Sequence, residues 1–200
     1  MISTYQDMFA LCAIALLCLT SVSHSAPPDC KDLVKPLGQP DPRRLEGRWA
    51  LVADSLKINE SPDFVKKTDS ITIKFHNLTY SQANRYGDMC YYFKSSNISV
   101  DGPTFTTTSE QVNMNGTVIY TSCPDCMVLS LAFHAPNYKS EELCLFSKRR
   151  EVDDKELKEF RAQVECLKMP EVVVMDPTTE LCVDFPTSET ETEEKTGFKG

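Results

Sequence analysis

Histidine, tryptophan and glycine are scarce in this sequence of 200 residues, which contains three histidines, one tryptophan and seven glycines. No His-X-X-X-His spacing is present, so a histidine-based metal site is not predicted. The sequence also lacks a Gly-X-Ser-X-Gly motif, a phosphate-binding loop and a dinucleotide fingerprint. We therefore expect no metal, no cofactor and no enzymatic activity.

Positive charge and long apolar runs are also lacking. Lys and Arg number 21 against 29 Asp and Glu, a formal net charge of −8. This balance disfavours nucleic-acid binding, which depends on neutralising phosphates. The longest apolar run, 8–19, is shorter than the roughly 20 residues that a membrane-spanning helix needs. We expect neither a nucleic-acid partner nor a membrane span.

The apolar run instead fits the centre of a secretion signal. Ser23 and Ser25 are small residues at the positions that precede a cleavage site. We predict a signal peptide over 1–25 and a secreted, extracellular protein. An uncleaved anchor is the alternative, because no Lys or Arg precedes the run.

Cysteine, by contrast, is abundant, with nine in the whole chain. Removal of 1–25 leaves seven: Cys30, Cys90, Cys123, Cys126, Cys144, Cys166 and Cys182. An odd number allows at most three disulfides within one chain and leaves one thiol, so a monomer or a disulfide-linked dimer is expected. Cys123-Pro-Asp-Cys126 also resembles a redox dithiol, but its place between two predicted strands disfavours that chemistry.

The remaining sequence divides into three predicted parts. A proline-rich, irregular N-terminal arm covers 26–46, a folded domain covers 47–185, and an acidic tail over 186–200 is predicted to be disordered. The domain begins with eight short strand-like runs, some separated by turn signals that include Asn-Gly at 115–116. The runs are 49–56, 70–75, 78–86, 89–93, 103–108, 117–121, 127–134 and 142–148.

A helical pattern follows the strands. Leu157, Phe160, Val164 and Leu167 recur at helical spacing, and Asp153 with Glu156 forms a capping-box sequence before them. A further short strand is predicted over 171–175. Together these elements predict an all-β fold, an eight-stranded up-and-down antiparallel barrel with one C-terminal α-helix on its outer wall.

Gly47-Arg48-Trp49 opens the first strand after an irregular arm, and in this the chain resembles the lipocalins. The resemblance implies that Gly47 and Trp49 form the barrel base, under a basic residue that ends the last strand. Lys148, Arg149 and Arg150 are the candidates for that residue, and Arg149 is our assignment.

The second half of the chain carries a closer resemblance, in 121–126, in 158–166 and in 172–177 followed by Cys182. These segments resemble apolipoprotein M and the fish lipocalins related to orosomucoid. That group includes the tributyltin-binding proteins and the pufferfish saxitoxin- and tetrodotoxin-binding proteins. Ser122-Cys-Pro-Asp-Cys126 replaces the Thr-Asp-Tyr signature of core lipocalins, which indicates an outlier branch.

The resemblance implies a disulfide pattern. It suggests Cys90 bonded to Cys182 and Cys30 bonded to Cys166. Cys144 would then pair with either Cys123 or Cys126.

Strand alternation gives candidates for the ligand cavity. Trp49 sets the phase of the first strand, so Leu51 and Ala53 should face inward. In the fourth strand the phase must break after Phe93, at a bulge, if Asn97 is to face outward and carry a glycan. The cavity candidates are Leu51, Ile73, Phe75, Tyr91, Phe93, Phe105, Tyr120, Leu129 and Phe133. The predicted N-glycosylation sites are Asn59, Asn77, Asn97 and Asn115.

These features predict a secreted, glycosylated lipocalin that binds, sequesters and transports a small hydrophobic or amphipathic ligand in plasma-like fluid. The resemblance points to a xenobiotic such as tributyltin, or to a toxin. The alternatives are a lipid carrier like apolipoprotein M with lipoprotein association, a lipocalin enzyme that uses a free cysteine, and an immune-modulating interaction protein.

Overall fold

The computed structural model describes residues 29–38, 42–58, 68–108, 113–136 and 138–183. The predicted signal peptide, the predicted disordered tail and Asn59 lie outside the described residues. Short helices α1 (Cys30–Leu33) and α2 (Pro42–Leu45) occur in the N-terminal arm, and α3 (Asp154–Cys166) follows the strands. The strands are β1 (Gly47–Ile58), β2 (Ser70–His76), β3 (Thr79–Tyr86), β4 (Met89–Asp101), β5 (Thr104–Thr108), β6 (Asn113–Ile119), β7 (Cys126–Ala135), β8 (Tyr138–Ser147) and β9 (Val173–Val174).

Strands β1 to β8 form a closed antiparallel barrel in sequence order. Each strand pairs with the next, and β1 also pairs with β8, which closes the sheet. Beyond Ala50, β1 leaves β2, and β9 pairs with it at Ala53 and Asp54. The predicted all-β, eight-stranded barrel followed by one helix is confirmed. None of the described helices has the length and apolar character to cross a membrane.

Two apolar clusters lie on opposite sides of the barrel wall. The interior cluster contains Trp49, Phe75, Phe105, Leu129 and Phe146 among others. The outer cluster packs the wall against α3 and includes Leu143, Leu145, Phe160 and Val164. Successive residues of a strand point to opposite faces, so one strand supplies both clusters.

Helix α3 begins as the capping-box sequence predicts. The Glu156 backbone N–H donates to Asp153 Oδ1 at 2.7 Å, and the Asp153 N–H donates to Glu156 Oε2 at 2.8 Å. Phe160 and Val164 are buried on the face toward the barrel, which accounts for the helical spacing of the apolar residues.

Several strand boundaries differ from the prediction, and two of the differences have identifiable reasons. Asn115 and Gly116 were predicted as a turn, but they lie inside β6, where Gly116 packs directly against the Phe105 ring. Strand β4 continues to Asp101 because its register with β3 shifts between the pairs Tyr80–Ser96 and Gln82–Phe93. This shift is the predicted phase break after Phe93, and Asn97 is exposed beyond it.

The structure contains the disulfides Cys30–Cys166 and Cys90–Cys182, the two pairs that the resemblance suggested. The expected bond from Cys144 is wrong, because Cys123 is bonded to Cys126 and Cys144 is a free, buried thiol. Cys144 belongs to the interior cluster, whereas Cys123 and Cys126 belong to the outer one. The barrel wall therefore separates them.

A thiol count tests this arrangement. In secreted protein that lacks residues 1–25, a thiol reagent should label no cysteine in the native state and one after unfolding without reductant. The native thiol is protected because Cys144 is only 3 % exposed. Peptide mapping should place the label on Cys144, and three labelled cysteines would contradict the Cys123–Cys126 bond.

The Cys90–Cys182 bond should contribute more to stability than Cys123–Cys126. It joins residues 92 apart in sequence, against three for the shorter bond. Loop entropy then predicts a loss of about 4.6 kcal/mol for the Cys90→Ala/Cys182→Ala pair and about 2 kcal/mol for Cys123→Ala/Cys126→Ala. Urea unfolding measures both, and equal losses would show that the C-terminal segment stays in place without its disulfide.

Candidate ligand-binding interior

The base of the barrel is built around Trp49. Its indole Nε1 donates to the Leu45 carbonyl at 2.8 Å, and the Lys148 Nζ lies 4.5 Å from the ring centroid. The assignment of Arg149 to this position is wrong. Lys148 follows the inward alternation of Cys144 and Phe146, so Arg149 turns outward and pairs with Asp125 at 2.6 Å and with Glu156.

Aromatic rings fill the interior above the base. Phe75 meets the edge of Phe105 at a centroid distance of 5.6 Å and a tilted Tyr80 at 5.4 Å. Phe75 and Phe105 are almost fully buried. This part of the barrel is an apolar core in which aromatic pairs add to the burial energy.

A chain of polar side chains runs along the inner face of β3. The Tyr80 hydroxyl donates to Gln82 Oε1 at 2.5 Å, and Gln82 Nε2 donates to Asn84 Oδ1 at 2.8 Å. Asn84 Nδ2 lies 3.4 Å from the Tyr86 hydroxyl. These residues face inward because Gln82 and Asn84 pair with Ile73 and Ile71 of β2. They give the upper interior hydrogen-bonding capacity.

A second group of polar side chains comes from β1 and β8. Asp54, Glu142 and Cys144 form what we term the acid–thiol cluster. Asp54 and Cys144 are directly paired in the sheet register, and Glu142 lies two residues along β8 on the same face. The Cys144 Sγ lies 3.6 Å from Asp54 Oδ1 and 4.0 Å from Glu142 Oε2. Ser140 Oγ donates to Glu142 Oε1 at 3.0 Å.

Burial shifts the proton affinities of the cluster. Desolvation raises the pKa of Asp54 to about 6, and hydrogen bonds from Cys144 and the Ser55 backbone offset part of that rise. Desolvation, reinforced by the Asp54 charge, raises the pKa of Glu142 to about 7. The pKa of the Cys144 thiol is raised by burial and then by the two carboxylates. The pKa values of Tyr80 and Tyr138 are also raised, chiefly by burial.

The sequence did not predict the acid–thiol cluster, because a β-bulge in β1 reverses which residues face inward. The register of β1 against β8 shifts between Leu51 and Ala53. Val52 and Ala53 consequently both pack in the outer cluster, and Asp54 turns inward. The expected inward orientation of Ala53 is therefore wrong, and strict alternation from Trp49 had placed Asp54 outside.

Aromatic side chains of β3 and β4 lie on one side of the mouth, which we define as the barrel end where β4 and β8 begin. Tyr91 and Phe93 pair with the inward residues Asn84 and Gln82, and both are about half exposed, at 50 % and 51 %. Tyr91 also meets the edge of Tyr86 at 5.4 Å. Apolar rings are therefore presented at this end, above the polar wall.

The predicted cavity residues take three positions. Leu51, Ile73, Phe75, Phe105 and Leu129 belong to the interior cluster, and Phe133 packs against it. Tyr91 and Phe93 lie at the mouth. Tyr120 is not brought to the interior, because it follows the end of β6, is 44 % exposed and bonds through its backbone to Lys35 and Gln163.

Fold and interior together define a class, a small closed β-barrel with a mixed apolar and polar inner wall, an architecture that is wide enough to hold one small ligand. No known family profile matches the sequence, and no curated protein matches it. Solved structures do. Lipocalin 12 from rat epididymis is similar with a TM-score of 0.60 at 16 % identity, over 76 % of this chain and 93 % of that chain. The siderocalin Ex-FABP, whose title describes dual ligand specificities, is similar with a TM-score of 0.52 at 17 % identity, over 66 % and 93 %. The chain therefore has the lipocalin fold.

Proposed function

We propose that this protein is a secreted, glycosylated lipocalin that sequesters and carries a small amphipathic ligand in its barrel. The observation that carries the proposal is the graded inner wall. Buried aromatic rings at the base give way to the acid–thiol cluster and the β3 amides, and then to half-exposed rings at the mouth. Such a wall suits a ligand with an apolar body and a polar or cationic group.

Features outside the barrel support extracellular carriage. Two disulfides tie the N-terminal arm and the C-terminal segment to the rest of the fold, as expected in an oxidising compartment. Asn77, Asn97 and Asn115 are exposed, as a glycosylated asparagine must be. The free thiol lies inside the barrel, which favours a monomer over the disulfide-linked dimer.

The rival proposal of a cysteine enzyme finds less support in the site. A catalytic thiol acts as a thiolate, and nearby positive charge normally stabilises that form. Cys144 instead faces Asp54 and Glu142, and burial and these carboxylates raise the pKa of the thiol. We therefore propose binding without chemistry.

Native mass spectrometry of protein secreted from animal cells, after enzymatic removal of N-glycans, tests the proposal. A discrete adduct lost on denaturation would identify the ligand class. Titration with tributyltin, a single-chain lipid and a guanidinium toxin, followed by Trp49 fluorescence, tests binding directly. Tyr91→Ala should weaken binding about tenfold, whereas the neighbouring outward-facing Tyr92→Ala should not. Absence of an adduct and of any response would instead favour the protein-interaction alternative.

A further inference from the structure

The acid–thiol cluster presents three metal-ligating atoms from two rigid strands. The Cys144 Sγ and one carboxylate oxygen each of Asp54 and Glu142 all lie within 4.8 Å of one another. The direct pairing of Asp54 with Cys144 in the sheet fixes the spacing of their backbones. Strands hold ligands more precisely than loops do, so the three atoms are already gathered at one point of the inner wall.

The spacing is close to that of a tetrahedral metal centre. Zinc bonds of about 2.3 Å to sulfur and about 2.0 Å to oxygen give a sulfur–oxygen edge of about 3.5 Å. The observed distances from Cys144 Sγ are 3.6 Å to Asp54 and 4.0 Å to Glu142. Small side-chain rotations would therefore complete three corners of the tetrahedron without moving the strands.

Orientation and charge point independently to a cation. Ser140 holds Glu142 Oε1, so that Oε2 is directed at the thiol, and the Ser55 backbone bonds to Asp54. Hydrogen bonds of this kind fix the ligating oxygens in known metal sites. Among the ion pairs of the described residues, none includes Asp54 or Glu142. Two partly buried carboxyls without a positive partner in an ion pair of the described residues leave negative charge that a bound cation would neutralise.

We propose that Asp54, Glu142 and Cys144 bind a thiophilic divalent cation of the Zn²⁺ type on the inner wall of the barrel. A thiol beside carboxylates selects such an ion over Mg²⁺ or Ca²⁺, which take oxygen ligands. Binding replaces the Cys144 S–H bond with a sulfur–metal bond, and the proton leaves to solvent. The fourth position faces the interior, where water or an atom of a barrel ligand completes the coordination. The proposal goes beyond ligand carriage and stands whether or not an organic ligand is found.

Cobalt substitution tests the proposal on the full secreted chain, without a histidine tag and after chelator treatment. Co²⁺ should bind one per chain, with thiolate-to-cobalt charge-transfer absorption and the visible bands of four-coordinate cobalt, and Zn²⁺ should displace it. Cys144→Ser should abolish the charge-transfer absorption, and Glu142→Gln should weaken binding at least tenfold. Glu141→Gln is the matched control, because the Glu141 side chain lies on the outer face, where it pairs with Lys57 at 3.1 Å.

Three outcomes would overturn the proposal. These are absence of Co²⁺ and Zn²⁺ binding, charge-transfer absorption that persists in Cys144→Ser, and equal weakening by Glu141→Gln and Glu142→Gln. Circular dichroism of each variant shows that the barrel is folded. If Cys144→Ser does not fold, Asp54→Asn provides the second test, with the same tenfold weakening expected. The carrier function is measured separately, by Trp49 fluorescence titration with tributyltin in the presence and absence of Zn²⁺. Failure of either test can then be told apart from failure of the other.

Discussion

Gly116→Ala should destabilise the barrel by about 3 kcal/mol, the largest effect that we expect from a single added methyl group. A Cβ at this position would lie 2.2 Å from Cζ and 2.4 Å from Cε1 of Phe105. The ring has little room to retreat, because Phe105 is 1 % exposed and packs against Phe75 on another side. Urea unfolding of the two proteins measures the difference, and the Asn115 sequon is preserved by the substitution.

A second substitution identifies the cause. Phe105→Leu in the Gly116→Ala background should recover part of the lost stability, because the smaller side chain makes room for the new methyl group. Gly38→Ala is the control, since no atom of the described residues lies within 4 Å of its added Cβ, and its effect should be below about 0.5 kcal/mol. A Gly116→Ala protein as stable as the wild type would show that Phe105 has another position available.

Glu142→Gln should stabilise the metal-free protein at pH 8 by about 2 kcal/mol, although it removes a side chain of the proposed metal site. Folding raises the pKa of Glu142 to about 7 and that of Asp54 to about 6, above their ordinary values near 4.5 and 3.8. Between about pH 4 and pH 7 the folded state therefore binds more protons than the unfolded state. Stability is then greatest below about pH 4 for this pair and falls as the pH rises through 6 and 7.

Thermal unfolding between pH 5 and pH 8, in the presence of a chelator, measures this effect. The wild type should lose stability across the range, and Glu142→Gln should flatten the profile, since glutamine can still accept from Ser140 but cannot ionise. Glu141→Gln should leave the slope unchanged, because an exposed ion pair with Lys57 contributes little. Parallel profiles for all three proteins would refute the assigned desolvation of Glu142.

Elements that depend on local pattern could be predicted from the sequence. The strand-like runs 70–75 and 127–134 located β2 and β7 to within a residue or so, and Asp153 with Glu156 marked the start of α3. Local signals suffice there because the alternation or the cap is encoded within a few residues.

Elements that depend on tertiary contacts could not be predicted in the same way. The bulge at Val52 is set by the partner strand β8, and it alone turns Asp54 inward. The choice between Lys148 and Arg149 at the base depends on the phase in which β8 leaves the barrel. The partner of Cys123 depends on which side of the wall each sulfur occupies, and spacing along the chain does not carry that information.

The pairing of β1 has a consequence for how the chain is made. The first barrel strand to be synthesised finds one partner, β2, soon afterwards, but its upper half must wait for β8 and β9. Cys90 likewise waits for Cys182. Closure of the barrel therefore waits for β8, and the growing polypeptide carries an unpaired edge at Ala53 and Asp54 until Val173 and Val174 have emerged. A chain truncated before Val173 would keep all eight barrel strands and the β1–β8 pairing that closes them, but it would lose the β9 pairs with Ala53 and Asp54 and the Cys90–Cys182 bond.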